Sequence, residues 1–243
     1  CLLVFEHNEY CSAYPQHAGQ TLDWLPGDTR QLYDVHIKKS NKHTASKLKK
    51  LRFNSSNVKY NFNSYGFRCN EFAQHNNIVF LGCSLTLGIG INLEDTFSQT
   101  IATELNMNNC NLALAGGSND TMFRIAYHWL PQLKPKVVVC FAPTKERSEI
   151  FIDNHHESLM ATLPRNNSWY KNYLKEDNNF KINYQKNKLA IERLCDNINT
   201  KLLFLHVEDW NFDYRKDVAR DLLHPGVKSH GLLANQMLKQ LGV

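Results

Sequence analysis

The sequence predicts an α/β protein in which a central parallel sheet lies between two layers of helices, a three-layer α/β/α sandwich. From residue 76 onward, four short apolar runs typical of buried strands alternate with segments in which apolar residues recur every three or four positions. Strands separated by helices need crossover connections, which favour parallel strands covered on both faces. The 243 residues are enough for one large domain of this kind.

Each predicted strand is short and apolar and is followed by a break or a polar turn. The predicted strands are 77–82, 109–115, 136–141 and 201–207. Four apolar stripes with helical spacing accompany them, and we expect these stripes to face the core. Their members are Phe97, Ile101 and Leu105; Met122, Ile125, Ala126 and Trp129; Ile191, Leu194, Cys195 and Ile198; and Leu233, Met237 and Leu241.

The first 75 residues lack strong periodicity and are predicted to form an N-terminal extension of strands, turns and a short helix. We expect residues 1–75 to pack over the sheet edge of a core domain formed by residues 76–243, so that the chain is one domain overall. Residues 1–5 are apolar and are interpreted as an edge strand, since they are too short and lack the basic start and cleavage site of a secretion signal.

Composition and charge are those of an ordinary globular protein, with 42% hydrophobic and 21% charged residues and a net charge of +5. No apolar stretch approaches the ~20 residues that span a bilayer. A basic segment at residues 38–52 could contact an anionic partner, or it could be a solvated helix or loop. Because no nucleic-acid-binding motif accompanies it, nucleic acid is not predicted as a partner.

Cysteine and glycine patterns argue against disulfides, metals and nucleotide cofactors. The seven cysteines are odd in number and scattered, which favours reduced thiols and a cytoplasmic location. His155 and His156 are adjacent but fit no standard metal motif. Gly82, Gly88 and Gly90 match neither phosphate-binding glycine pattern, so no cofactor is predicted.

Ser84 follows the first predicted strand and is a candidate nucleophile. A serine hydroxyl needs a general base, and the base needs a group that fixes its tautomer. Asp221 and His224, three residues apart and on the same side of one turn, would supply both. Taken singly, the serine would also suit a turn or a helix cap, and the Asp-x-x-His pair would also suit a solvated aspartate and a helix-capping histidine. The thiol of Cys83 is an alternative nucleophile.

Together these segments resemble the ordered blocks of the SGNH/GDSL hydrolase superfamily, over about residues 60 to 240. The blocks are Gly82-Cys83-Ser84-Leu85, then Gly116, then Asp221-Leu222-Leu223-His224-Pro225. The resemblance implies a flavodoxin-like fold with Ser84 as nucleophile, His224 as base and Asp221 as acid. Segments 63–68 and 116–120 also resemble a subset common in bacteriophages and environmental bacteria. Cys83 replaces the family's usual aspartate, which is not the acid of the triad.

The same resemblance implies an oxyanion hole built from the backbone N–H groups of Ser84 and Gly116 and an asparagine side chain of a third block. This chain has Thr144 where that asparagine belongs, and its hydroxyl would donate one hydrogen bond. Asn119, close to the second block, is another candidate donor.

The function predicted from these residues is a cofactor-independent serine esterase acting on small-acyl esters, including O-acetyl groups on carbohydrate. Lipid esters, thioesters and acyl transfer stay open, and the alternative is a catalytically weak binding or structural module, virion-associated if phage-encoded. Three aromatic residues near the site would stack on a sugar, close a lid or meet a partner. They are Trp169, Tyr170 and Tyr173.

Overall fold

The computed structural model describes residues 5–6, 8–152, 155–159, 172–173, 175–208 and 214–243. In those residues the strands are β1 (Thr21–Leu22), β2 (Tyr60–Asn61), β3 (Asn77–Gly82), β4 (Asn108–Asn111), β5 (Val137–Ala142), β6 (Ser148–Ile152), β7 (His155–Leu159) and β8 (Lys201–His206). The α-helices are α1 (Arg30–Ile37), α2 (Lys42–Lys50), α3 (Ser84–Leu87), α4 (Phe97–Glu104), α5 (Asn119–Leu133), α6 (Asp177–Asn197) and α7 (Val227–Leu241).

Four strands form the central sheet in the order β4-β3-β5-β8, and each neighbouring pair is parallel. The two inner strands, β3 and β5, are buried at every position. They are also the most continuously apolar runs of the sequence, as expected for parallel strands that are covered on both faces. The predicted parallel α/β architecture is therefore confirmed.

Helices cover both faces of this sheet. Alternate side chains of β3 pack against different helical layers. Ile78 and Phe80 share a core with α4 and α7. Val79 and Leu81 share the opposite core with α5 and α6. Successive side chains of a strand point to opposite faces, which is how one apolar run serves two helical layers.

The second strand is shorter than the predicted range of 109–115. In the structure, β4 spans Asn108–Asn111. The Asn111 side chain explains this end, because it bonds to backbone groups that a regular strand would not reach. Its Nδ2 donates to the carbonyl of Thr86 at 2.8 Å, and its Oδ1 accepts the N–H of Ala113 at 3.2 Å. An asparagine that bonds two residues ahead turns the chain.

The N-terminal residues contribute buried side chains to the core in addition to any cover of the sheet edge. Tyr14, Leu25 and Phe67 belong to the same buried cluster as the α5 side of the sheet. The indole Nε1 of Trp129 in α5 donates to the carbonyl of Cys11 at 2.7 Å. The extension therefore supplies part of one core. Residues 1–4 of the predicted edge strand lie outside the described residues.

The basic segment at residues 38–52 contains the whole of helix α2, whose side chains are largely exposed. Leu48 alone in this helix is fully buried, at 1% exposure. A single buried leucine anchors the helix to the core while the lysines stay in water. The segment is thus a largely exposed helix, and whether it contacts an anionic partner stays a prediction.

Candidate active site

Ser84 lies directly beyond the carboxyl end of the central strand β3. It opens the four-residue helix α3, which ends at Gly88 in the left-handed region with a φ of +82°. Gly82, two residues earlier, leaves no room for a side chain, because an added Cβ would lie 2.1 Å from the Thr86 hydroxyl. The tight strand-to-helix turn therefore needs a glycine there, and it places the half-buried Ser84 at the edge of the sheet where ligands bind in α/β folds.

Asp221 and His224 lie in a loop that folds back on itself. The N–H of Ala219 donates to the carbonyl of His224 at 2.8 Å, which closes the loop. One carboxylate oxygen of Asp221, Oδ1, accepts the backbone N–H groups of Leu223 at 3.1 Å and His224 at 3.0 Å. These two backbone hydrogen bonds hold the Asp221 side chain in its own loop, independently of its contact with a side chain.

Two hydrogen bonds join Ser84, His224 and Asp221 into one chain. Nδ1 of His224 lies 2.5 Å from Oδ2 of Asp221, and Nε2 lies 2.9 Å from Oγ of Ser84. A carboxylate only accepts, so Nδ1 carries the proton and Nε2 is free to accept the serine hydroxyl. The Asp221 side chain is fully buried, whereas that of His224 is 25% exposed, so the imidazole borders solvent.

Cys83 is the N-cap residue of α3 and is half-buried. Within the described part of the chain, the hydrogen bond of His224 Nε2 goes to the hydroxyl of Ser84 and not to the thiol of Cys83. The imidazole is therefore aligned with the serine hydroxyl and not with the thiol.

Gly116 lies beside the end of β3. The N–H of Leu114 donates to the carbonyl of Gly82 at 3.4 Å, and Gly117 turns the chain by donating to Leu114 at 2.9 Å. Gly116 has a φ of +75°, and a Cβ added there would meet no atom within 4 Å. In the residues that the structure describes, the N–H groups of Ser84 and Gly116 make no hydrogen bond.

Asn119 and Thr144 contact each other. Helix α5 starts with a capping box in which Ser118 and Thr121 bond reciprocally, and this box holds Asn119 at the first helical position. Its Nδ2 donates to the carbonyl of Thr144 at 3.2 Å. Asn119 is only 2% exposed, and its Oδ1 has no partner in the described structure. One amide proton of Asn119 is thus already engaged, and the roles of both residues in an oxyanion hole stay predictions.

A buried ion pair that no sequence pattern predicted lies next to Asp221 of the candidate site. Arg220, adjacent to Asp221, is fully buried and binds Asp28 with both Nε and Nη2, at 2.7 to 3.1 Å. Tyr60 donates its hydroxyl to the same carboxylate at 2.5 Å. Burial and the Asp28 carboxylate raise the pKa of Tyr60, which keeps its hydroxyl protonated.

The predicted aromatic cluster falls mostly outside the described residues, which include Tyr173 but neither Trp169 nor Tyr170. The Tyr173 hydroxyl lies 3.3 Å from that of Ser148. Together with Asp120 and Asn183, these residues line a polar cavity of about 250 Å³.

No cluster of three or more His, Cys, Asp or Glu side chains suited to a metal ion occurs within the described ranges. The side chains of His155 and His156 are not among those described. The six described cysteines are all free thiols, and five of them are buried. None of the described helices is both long and apolar enough to cross a membrane.

No protein-family model matches the sequence, and no curated protein matches it either. Solved structures do match, among them a GDSL-like lipase from Bacteroides thetaiotaomicron that is 13% identical, with 70% of this chain and 92% of that chain covered and a TM-score of 0.35. A carbohydrate esterase described as having divergent catalytic and non-catalytic binding functions in its active site is 15% identical, with 70% of this chain and 69% of that chain covered and a TM-score of 0.37.

A family two carbohydrate esterase from Clostridium thermocellum, in complex with cellohexaose, is 16% identical, with 70% and 65% covered and a TM-score of 0.38. The chain thus spans slightly less than two thirds of that esterase. An acetyl xylan esterase is 14% identical, with 68% and 98% covered and a TM-score of 0.36. At these identities and TM-scores the activity of this chain has to be argued from its own site.

Proposed function

We propose that the protein is a cofactor-independent ester hydrolase in which Ser84 is the nucleophile, His224 the general base and Asp221 the residue that orients the base. The observation that carries this proposal is the continuous chain from Asp221 Oδ2 through both ring nitrogens of His224 to Ser84 Oγ, with contacts of 2.5 and 2.9 Å. Nucleophile and base within hydrogen-bond reach, with the base held by a third group, is the arrangement that activates a serine.

The reaction follows from this alignment. Ser84 Oγ attacks the ester carbonyl while Nε2 of His224 takes its proton, and the buried Asp221 carboxylate stabilises the imidazolium that forms. His224 then gives this proton to the departing alcohol oxygen as the C–O bond breaks, which leaves an acyl group on Ser84. Water, deprotonated by His224, attacks the acyl-enzyme and releases a carboxylic acid and free Ser84.

The backbone N–H groups of Ser84 and Gly116 serve as the oxyanion hole in this proposal. Neither N–H is engaged within the described structure, and the space on the Gly116 side is open. Thr144 or Asn119 is the candidate third donor. Each oxyanion donor is worth about 10²- to 10³-fold in rate, so a hole with two donors still catalyses, more slowly.

Small-acyl esters, including O-acetyl groups on carbohydrate, are the proposed substrates. Among the described residues, the side chain of His224 is 25% exposed, so this end of the hydrogen-bonded chain borders solvent. The catalytic residues all fall in 76–243, the proposed catalytic domain, on which residues 1–75 pack.

A binding or structural module with little catalysis is the second candidate, and one observation favours it. The amide of Asn119 is held by the carbonyl of Thr144, which reduces its capacity to serve as a third oxyanion donor. Such a module would keep the fold and the triad geometry yet turn over esters slowly.

Hydrolysis of 4-nitrophenyl acetate tests the proposal. We expect Ser84→Ala and His224→Ala each to lower kcat by about 10³-fold or more. Cys83→Ala is the matched control, since it removes the neighbouring thiol and leaves the hydrogen-bonded chain intact, and it should keep activity within a few-fold. Wild-type turnover in both Ser84→Ala and His224→Ala would rule out the proposed triad. A folded wild-type protein with no turnover on aryl or sugar acetates would support the binding module.

A further inference from the structure

Arg220 is a buried charged residue next to Asp221 in the candidate catalytic loop. Its side chain is fully buried, and its guanidinium forms a bidentate ion pair with Asp28, which lies 192 residues earlier and is 2% exposed in its side chain. The same guanidinium lies over the ring of Trp24 at 3.9 Å and donates to the carbonyl of Asp23 at 2.5 Å. The N-terminal loop of residues 23–28 therefore encloses the head of this arginine.

A second link runs from Asp28 to the turn that follows Ser84. Tyr60 donates to Oδ2 of Asp28 at 2.5 Å and accepts the N–H of Gly90 at 2.8 Å. The carbonyl of Gly90 in turn accepts the N–H of Arg220 at 3.0 Å. Asp28, Tyr60, Gly90 and Arg220 thus form a closed ring of contacts that joins the segment after the nucleophile to the loop with the base.

Close packing reinforces this ring. A Cβ at Gly90 would lie 2.8 Å from Cβ of Ala219 and 3.0 Å from the backbone nitrogen of Arg220. A Cβ at Gly27 would lie 3.9 Å from Cε1 of His224, so the N-terminal loop borders the imidazole itself.

The geometry points to Asp28 as a positioning residue: through Arg220 and Tyr60 it holds the loop of Asp221 and His224 at hydrogen-bonding distance from Ser84. This role rests on the proposed function. Without the Asp28 carboxylate, Arg220 is an unpaired buried charge that must move toward water, and Asp221 is its immediate neighbour. A displacement of about 1 Å between base and nucleophile costs about 10²-fold in rate.

The test compares Asp28→Asn with Glu149→Gln. Glu149 forms a bidentate ion pair with Arg124 at 2.8 and 3.0 Å, with both side chains mostly buried, and its Oε2 also accepts the hydroxyl of Thr121 at 2.7 Å. The ion pair joins α5 to β6 and includes none of the residues of the proposed triad. Both substitutions remove the anion of a buried bidentate pair. We expect Asp28→Asn to lower kcat by about 10- to 100-fold with KM within threefold, and Glu149→Gln to leave kcat within threefold.

A spectroscopic measurement separates the positioning role from the proposed function. The proton on Nδ1 of His224, held by Asp221, gives a far-downfield NMR signal whether or not the protein turns over esters. We expect the signal in the wild type and in Glu149→Gln, and its loss or broadening in Asp28→Asn. An inactive wild type that still shows this difference would contradict the ester hydrolase and keep the positioning role.

If Asp28→Asn does not fold, Tyr60→Phe is the second test of the positioning role. It removes the hydroxyl that bonds both Asp28 and the N–H of Gly90, and it changes no charge. We expect about a threefold to tenfold fall in kcat. In either folded variant, wild-type kcat together with an unchanged His224 signal would overturn the positioning role.

Discussion

The carboxylate of Asp221 makes three hydrogen bonds, and their directions decide what a substitution does. Oδ1 accepts two backbone N–H groups, from Leu223 and His224, while Oδ2 contacts Nδ1 of His224. An asparagine at this position would keep its single oxygen on the two backbone donors. Its NH₂ group would then face Nδ1 and move the ring proton to Nε2, so that the imidazole could no longer accept the proton of Ser84.

Asp221→Asn is therefore expected to fold and to lower kcat for 4-nitrophenyl acetate by roughly 10⁴-fold. Thermal melting checks that the variant keeps its structure. A loss of less than tenfold in kcat would mean that Asp221 does not set the tautomer of His224.

At the scale of elements, the turn from β3 into α3 and the turn before α5 use glycine for different reasons. Gly82 is needed for space, since a Cβ would lie 2.1 Å from the Thr86 hydroxyl and 2.9 Å from the carbonyl of Phe141. Gly116 is needed for its backbone conformation alone, because it has a φ of +75° and open space around it.

Urea unfolding of Gly82→Ala and Gly116→Ala should reflect this difference. We expect Gly82→Ala to lower the free energy of unfolding by about 3 kcal/mol, as for overpacking of a rigid site. Gly116→Ala should cost about 1 kcal/mol, the penalty of a left-handed backbone for a residue with a Cβ. Equal losses in the two variants would contradict the packing described around Gly82.

Helix α7 contacts α4 through a buried histidine, which links stability to pH. His230 is stacked on Phe97 with ring centroids 5.7 Å apart, and its Nδ1 accepts the N–H of Phe97 at 3.1 Å. Burial lowers the pKa of His230 to about 3. The unfolded chain therefore binds a proton below the usual histidine pKa of about 6.5 that the folded chain does not.

Because only the unfolded chain binds this proton, protonation favours unfolding. The stabilising contribution of neutral His230 is complete above about pH 6.5 and is lost as the pH falls toward about 3. The free energy of unfolding should fall by up to about 1.4 kcal/mol per pH unit from this group. His230→Gln should show a shallower dependence in urea titrations between pH 7 and 4.5. Identical slopes would show that His230 does not remain neutral in the folded protein.

At the scale of the whole molecule, residues 1–75 and 76–243 share one core. Tyr14, Leu25 and Phe67 are buried with the α5 side of the sheet, and Asp28 neutralises Arg220. Removal of the extension would expose this apolar surface and leave a buried cation unpaired.

We therefore expect residues 76–243 produced alone to lack a cooperative thermal transition, whereas the full chain should show one by near-UV circular dichroism. A truncated chain that melts cooperatively near the temperature of the full chain would show that the extension is dispensable for the fold.

How much the sequence predicts also depends on scale. The strands and helical stripes were predictable because burial imposes a period of 2 or 3.6 on apolar residues, and Ser84 was noticeable because it follows such a strand. The end of β4 at Asn111 was not predictable, since it depends on a side chain that bonds to a distant carbonyl.

The pairing of Asp28 with Arg220 was beyond sequence reasoning for a related reason. The two residues are 192 positions apart, and a charged side chain is normally expected to be solvated. No local sequence pattern predicts the contact between Asp28 and Arg220, because the two residues meet only when the chain folds.

Covalent labelling with a fluorophosphonate tests the central claim most directly, because the reagent reacts with a serine oxygen only where a base activates it and an oxyanion site receives the phosphoryl oxygen. The proposed site predicts one label per wild-type chain, mapped by peptide mass to Ser84, with labelling kept in Cys83→Ala and lost in Ser84→Ala and His224→Ala. Folded wild-type protein that takes no label, or a label that maps to another residue, would contradict the claim.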